Sequence, residues 1–402
     1  MSTISRSAKF AERTSRLRAS TIREMLKVTQ QPNVISFGGG LPAPELFPVA
    51  AVAECTAEIM EEIGASALQY SVTQGIPEMR TWVAQRLATQ MARDVSADDV
   101  LIVNGSQQGL DLLGKIFLDP GDHVLLERPT YLGAIQAFDA YQAQYLSVET
   151  DEHGIVPESL ERIIERADPL PKFLYLVPTF QNPTGRTLSI ERRERIVRIC
   201  ERFEVPIVED DPYHELRFEG EPLPPLVSFA RNGSVIYLGT GSKIVAPGLR
   251  IAWLVASDPE VREKLILAKQ GADLHSGSLA QYIFHRFVSR REAFARHLEA
   301  IVATYRGRRD VMYAALGEFM PESVRFNKPE GGMFLWASVA GIDTTALLER
   351  SKEERVVFVP GVSFYPQRDV VESMRLNFSN AGEEKIRVGI ERLASVIRSS
   401  AR

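Results

Sequence analysis

The sequence predicts an α/β protein: a large domain with a mainly parallel sheet flanked by helices, joined by a smaller α+β domain. Three observations lead there. Between about Val100 and Ser257, short β-rich apolar runs alternate with helix-patterned segments. Motif after motif follows the C-terminal end of a strand, where an open α/β sheet binds its ligands. From about Ser278 the alternation gives way to a long helical pattern and then to a group of strands.

In chain order, the strand candidates are VLIVN, HVLLE, FLYLVP, VPIVED, VIYLG and IAWLVA, runs rich in branched and aromatic residues. Between them lie helices such as SIERRERIVRICERF, in which Ile196, Ile199, Cys200 and Phe203 share one face. The helical pattern after Ser278 extends to about Met320. Strands are then expected at GGMFLWAS, VVFVP and SMRLNFS, and a last helix at EEKIRVGIERLASVI. The arginines at 286, 290, 291, 296, 306, 308 and 309 are interleaved with Glu292, Glu299 and Asp310, the pattern of a solvated helix face. There is no internal repeat and no low-complexity segment.

The 402 residues, 45% hydrophobic and 25% charged, suffice for two domains with a substantial core. The net charge of −5 is spread over interspersed signs, so neither a nucleic-acid nor a membrane surface is expected. No apolar run approaches a membrane span. The partners expected are small molecules. Cys55 and Cys200 lack the spacing of a zinc site or a disulfide framework, and the six histidines form no HExxH-like pattern, so no metal is expected. The first twenty residues, rich in Arg and Ser, have the composition of a transit peptide. They grade directly into a helix-patterned segment, and the expectation is a cytoplasmic protein.

The chemistry gathers around GTGSKIVAPGLRIAW. Pro247 stops any ordinary helix, so Lys243 stands on a loop at the end of a strand, among Thr240, Gly241 and Ser242, with Arg250 seven positions on. A dinucleotide fingerprint lacks its third glycine here, and no Walker-type loop occurs. A cofactor with an aldehyde, a pyridine ring and a phosphate, pyridoxal 5'-phosphate, needs a lysine for a Schiff base, an acid for the ring nitrogen and donors for the phosphate. Lys243 is the lysine. Glu209, Asp210 and Asp211 supply acids at the end of VPIVED, close to Tyr213. Thr240, Ser242 and Arg250 supply donors, and NGSQQ is a strand-to-helix turn in which Gly105 permits close approach and Ser106 donates. Tyr131 in ERPTYLGA and Asn182 in PTFQNPTG end two further strands.

In this order GSQQ, PTYLGA, PTFQNPTG, EDDPY, GTGSKIVAPGLRIAW and MRLNFS closely resemble the fold type I pyridoxal-phosphate aminotransferases of class I/II. The resemblance covers nearly the whole chain. RASTIREML and FGGGLPAPELFP are similar to the branch of 2-aminoadipate and multi-substrate enzymes, which includes kynurenine, aromatic and branched-chain aminotransferases. It implies that Lys243 carries the cofactor, that Asp210 pairs with the ring nitrogen, and that Asn182 and Tyr213 bond the ring hydroxyl. Tyr131 stacks on the ring, and Ser106, Gln107, Thr240, Ser242 and Arg250 gather round the phosphate. Arg375, in MRLNFS, clamps the substrate α-carboxylate, with Gly39 and Gly40 against the substrate. Ser20 and Arg23 lie on a cover that reads the substrate side chain. Tyr70 reaches the phosphate of the other subunit in a homodimer with shared active sites. The division implied is 1–45 as an N-terminal segment joining the small domain, 46–290 as the cofactor-binding domain, and 291–402 as the small domain. One departure from many relatives is Gly241, where they carry a bulkier side chain, leaving open what fills the space.

The expected reaction moves an amino group between an L-amino acid, 2-aminoadipate first, and 2-oxoglutarate. The same site could serve a lyase performing β-elimination, C–S cleavage or decarboxylation. A regulatory effector domain of aminotransferase ancestry is disfavoured, because this fold starts almost at the first residue.

Overall fold

The structure, a computed structural model, describes residues 9–17, 33–92, 94–231 and 233–400. Strand β1 (Ile35–Ser36) comes first. The largest sheet takes β2 (Val100–Asn104), β3 (His123–Glu127) and β4 (Gln144–Val148), and, after a ribbon of β5 (Thr150–Asp151) and β6 (Gly154–Ile155), β7 (Phe173–Leu176), β8 (Ile207–Asp211), β9 (Val235–Thr240) and β10 (Ile251–Val255). Their spatial order is β2-β10-β9-β8-β7-β3-β4. All pairings are parallel except those of β10, which runs antiparallel to β2 and β9.

Strand alternation divides the core into two layers, one on each face of the sheet. Leu101, Val103, Val124, Leu126, Ile236 and Leu238 enter one cluster. Their neighbours Val100, Ile102, Leu125, Val235 and Tyr237 enter the other. The helices Ser106–Phe117 and Leu132–Asp139 cover the first face, and Pro77–Met91, Pro157–Arg166 and Ile190–Arg202 the second. All six strand candidates in this region form. β4 was not among them, since QYLSV is a partly exposed edge strand with no continuous apolar run.

The helical pattern after Ser278 forms two helices, Ser278–Ser289 and Arg291–Phe319, because Arg290 leaves the helical region with ψ at 70°. Its guanidinium pairs with Glu54 and Glu58 on the helix Val49–Ala67. The solvated-face reading of the arginines also needs correction at two positions. Arg308 and Arg309 are buried, Arg309 between Glu219 and Asp310 and Arg308 between Glu45 and the Ser379 carbonyl. Charge interleaving along a helix does not reveal acids supplied from elsewhere in the chain.

A second sheet, β11 (Val324–Phe326), β12 (Phe334–Val339), β14 (Val359–Pro360) and β15 (Ser373–Asn377), is antiparallel in the order β11-β12-β15-β14. The helices Arg291–Phe319 and Glu383–Ser400 pack on it through Ile301, Met312, Ile390 and Leu393. β1 pairs in parallel with β13 (Val356–Val357), which carries the segment after it across to the first sheet. Among the described residues no helix is long and apolar enough to cross a membrane.

Candidate active site

A cavity of about 340 Å³ opens at the C-terminal ends of the parallel strands, below the segment that follows β1. Gly40, Ser106, Gln107, Tyr131, Asn182, Asp210, Tyr213, Thr240, Ser242, Lys243, Arg250 and Arg375 all line it. Gly39 is buried next to Gly40 without lining the cavity, and Tyr70 stands apart, 80% exposed. Ser20 and Arg23 lie outside the described residues.

The pleat of β8 separates its three acids. Glu209 and Asp211 share one face: Glu209 accepts the Leu226 and Val227 N–H groups, and Asp211 accepts the Tyr237 hydroxyl beside His214. Asp210 faces the cavity. One carboxyl oxygen accepts the Tyr175 hydroxyl at 2.7 Å, and the other is buried without a partner among the described residues. Burial pushes the Asp210 carboxyl up to about 7, helped by the charge of Asp211 and opposed by the Tyr175 hydroxyl. An unpartnered buried carboxyl oxygen aimed into a cavity calls for a donor or a cation, which a protonated ring nitrogen supplies.

Lys243 leaves the end of β9 and donates from Nζ to the Gly40 carbonyl at 2.9 Å. Burial pulls its amine down to about 8, and the positive charges of Arg375 and Arg250 act in the same direction. The space beside Gly241 is filled by Phe284, whose ring any Cβ there would strike.

Arg375 is fully buried on β15. It donates 2.8 Å bonds to Asn182 Oδ1 and the Gly38 carbonyl, and its guanidinium lies 4.1 Å from the Phe334 ring centre. Its Nε has no partner among the described residues. Burial lowers it to about 10, so it stays a cation at neutral pH. The Asn182 amide in turn lies 3.5 Å from the Tyr213 hydroxyl.

At the far end, Gly105 turns β2 into the helix Ser106–Phe117 with φ at 77°. Arg250 sits in the left-handed region, φ 57°, and donates to the Pro247 and Asn104 carbonyls. The antiparallel β10 produces this closeness, since its register sets Ile251 against Asn104 and Ala252 against Thr240. The cradle fits a phosphate: free N–H groups of a helix start, the Thr240 and Ser242 hydroxyls and a guanidinium converge on one end. The Gln107 side-chain amide is engaged elsewhere, donating to the Gly133 carbonyl at 3.0 Å, which leaves its backbone N–H as the group it can offer here.

Sequence reasoning missed the layer behind these groups. Tyr175, Phe334 and Phe284 read as ordinary core aromatics, and only their three-dimensional neighbours distinguish them.

The family described as aminotransferase class I and II matches residues 32–393. An aromatic-amino-acid aminotransferase of Thermococcus litoralis is 44% identical over 97% of this chain and 94% of its own. A 2-aminoadipate transaminase of Thermus thermophilus is 43% identical over 99% of this chain and 98% of its own. The solved kynurenine aminotransferase of Pyrococcus horikoshii superposes with a TM-score of 0.94 at 42% identity, covering 99% of both chains.

Proposed function

The chain belongs to the class I and II aminotransferases and works with pyridoxal 5'-phosphate, and from that premise we propose that it exchanges an amino group between 2-aminoadipate and 2-oxoglutarate. Aromatic and branched-chain amino acids are further candidate donors. The observation that carries the reading is the arrangement of three groups in one cavity: the Lys243 amine, the half-satisfied Asp210 carboxyl and the buried Arg375 guanidinium.

Pyridoxal phosphate, when bound, supplies an aldehyde for covalent attachment and a ring that accepts the electrons released at the substrate α-carbon. Lys243 is the residue that would hold the aldehyde, its amine standing at the end of β9 within the cavity. With burial pulling its amine to about 8, a useful fraction is neutral near pH 7, able to take the proton from the α-carbon and return it. With the cofactor bound, Asp210 would balance the ring nitrogen, Asn182 and Tyr213 would bond the ring hydroxyl, and Tyr131 would stack on the ring. Arg375 offers Nε and the second hydrogen of a terminal nitrogen to the substrate α-carboxylate. Asn182, Gly38 and Phe334 fix the guanidinium plane, so little orientation is lost on binding.

The same proposal includes a homodimer with shared sites. Tyr70 is exposed and does not line the cavity of its own chain; Leu68 and Val72, two residues to either side, are exposed too, and its ring meets His275, the neighbour of the exposed Leu274. The division at residues 45 and 290 belongs to it too, supported by the two separate sheets. So does a cytoplasmic setting, which suits two free, buried cysteines.

A panel of amino donors with 2-oxoglutarate, following glutamate, ammonia and pyruvate together, tests the reaction. Glutamate formed at a rate equal to donor loss is expected, with 2-aminoadipate giving the highest kcat/KM. Ammonia released without glutamate would mean a lyase.

A further inference from the structure

A second buried lysine lies behind the cavity. Lys269, near the end of the helix Pro259–Asp273, has a side chain with 0% exposure, and it does not line the cavity. Its ammonium contacts both oxygens of Asp273 at 2.8 Å and both Gln108 Oε1 and Ser276 Oγ at 3.1 Å. A buried ammonium with this many partners is held in place, since moving it would leave a charge unpaired.

Each partner leads to the turn between β2 and the helix Ser106–Phe117. Gln108 Oε1 also accepts the Asn104 backbone N–H at 2.7 Å. Asp273 Oδ2 accepts the Asn104 side-chain amide at 2.6 Å and the Gln108 side-chain amide at 2.7 Å. Ser276 donates onward to the Ile102 carbonyl. Asn104 and Gln108 bracket Gly105, Ser106 and Gln107, so the turn is gripped on both sides. The Asn104 carbonyl is also the acceptor that holds Arg250.

We infer that Lys269, through Asp273, is a positioning residue for the cofactor phosphate: it sets the turn that aims the free N–H groups of the helix start and the Arg250 guanidinium at one point. The inference rests on the proposed phosphate site at Ser106 and Arg250. Lys269 touches neither cofactor nor substrate. Aligned donors bind an anion well only when their orientation is settled beforehand, and a polar layer behind them does this.

Pyridoxal, which lacks the phosphate, separates this role from a general structural one. Apoprotein is titrated with pyridoxal phosphate and with pyridoxal, following absorbance of the Lys243 linkage, for wild type, Lys269→Met and Asp273→Asn; thermal unfolding of each apoprotein runs alongside. Loss of one charge-assisted bond at the turn should weaken pyridoxal phosphate binding by about tenfold. Pyridoxal binding should be unchanged. Asp273→Asn keeps the shape of the network and should show the same selective loss even if Lys269→Met does not fold. Equal weakening of both ligands, or of neither, overturns the inference. Wild-type protein that binds both ligands alike would remove the phosphate site itself, and the inference with it.

Discussion

At Asp210 a single hydroxyl, that of Tyr175, faces a carboxyl with two oxygens to satisfy. In the apoprotein this makes ionisation costly. Burial raises the folded carboxyl to about 7, whereas an unfolded chain titrates it near 3.9. Between those values the folded state binds more protons, so the contribution of Asp210 to stability falls as pH rises through that window and is flat above it. Glu209, also raised to about 7, and Glu127, raised to about 8, act in the same sense, so the informative quantity is a difference between proteins. Asp210→Asn removes the ionisation and keeps an oxygen for Tyr175. Its apoprotein should match wild type near pH 4 and exceed it above pH 7 by on the order of a few kcal/mol. Denaturant unfolding at the two pH values measures this. The same substitution removes the partner of the ring nitrogen, so the loaded variant should turn over far more slowly with cofactor still bound. A pH-independent difference between the apoproteins would mean that Asp210 is already ionised in the folded protein.

At the scale of elements, the phosphate cradle depends on Gly105 and on the direction of β10. A Cβ at Gly105 would run into the Arg250 guanidinium, and the φ of 77° is itself unfavourable for alanine. Gly105→Ala should therefore displace Arg250 and weaken pyridoxal phosphate binding by about tenfold or more, the worth of a charged hydrogen bond. Gly121 is the control: its φ is 94° with nothing near its missing Cβ, so Gly121→Ala should lose about 1–2 kcal/mol of stability and leave cofactor affinity unchanged. Fluorescence titration of both variants decides it. Why such parts differ in legibility is a matter of range. The central strands announce themselves because both faces are buried and their runs are continuously apolar. Lys243 and Arg250 stand out because they share one short strand-end segment with Thr240 and Ser242, whereas Asn182 reads alone as an ordinary turn and gains its role only from the resemblance of the ordered motifs. The antiparallel course of β10 leaves no mark in IAWLVA, since direction is set by pairing with β2 and β9. Lys269 and Asp273 are four apart on a helix and look like a surface ion pair; only the fold brings Asn104 and Gln108 to them.

Over the whole molecule, one exposed aromatic is out of keeping with a finished surface. Tyr70 is 80% exposed, with its ring edge-on to His275 at 5.9 Å. Leu68, Val72 and Leu274 are also exposed, and Ser278 donates to the Gln69 carbonyl, tying the two segments together. Such a surface is suited to burial against a second copy, and in the proposed homodimer each Tyr70 reaches the partner's site. If so, Tyr70→Ala and Lys243→Ala each inactivate the homodimer, but for defects in different chains of one site. In a mixed dimer, one site combines Lys243 from the first variant with Tyr70 from the second and is intact, while the other site carries both defects. Random re-association makes about half the dimers mixed with half their sites intact, so activity should recover to about a quarter of wild type. The measurement is transaminase activity after mild unfolding and refolding of the mixture, with subunit exchange established by differently tagged chains. Recovery near a quarter places Tyr70 in the neighbouring site. Exchange without recovery means that each site is complete within one chain, and that the exposed face serves another purpose.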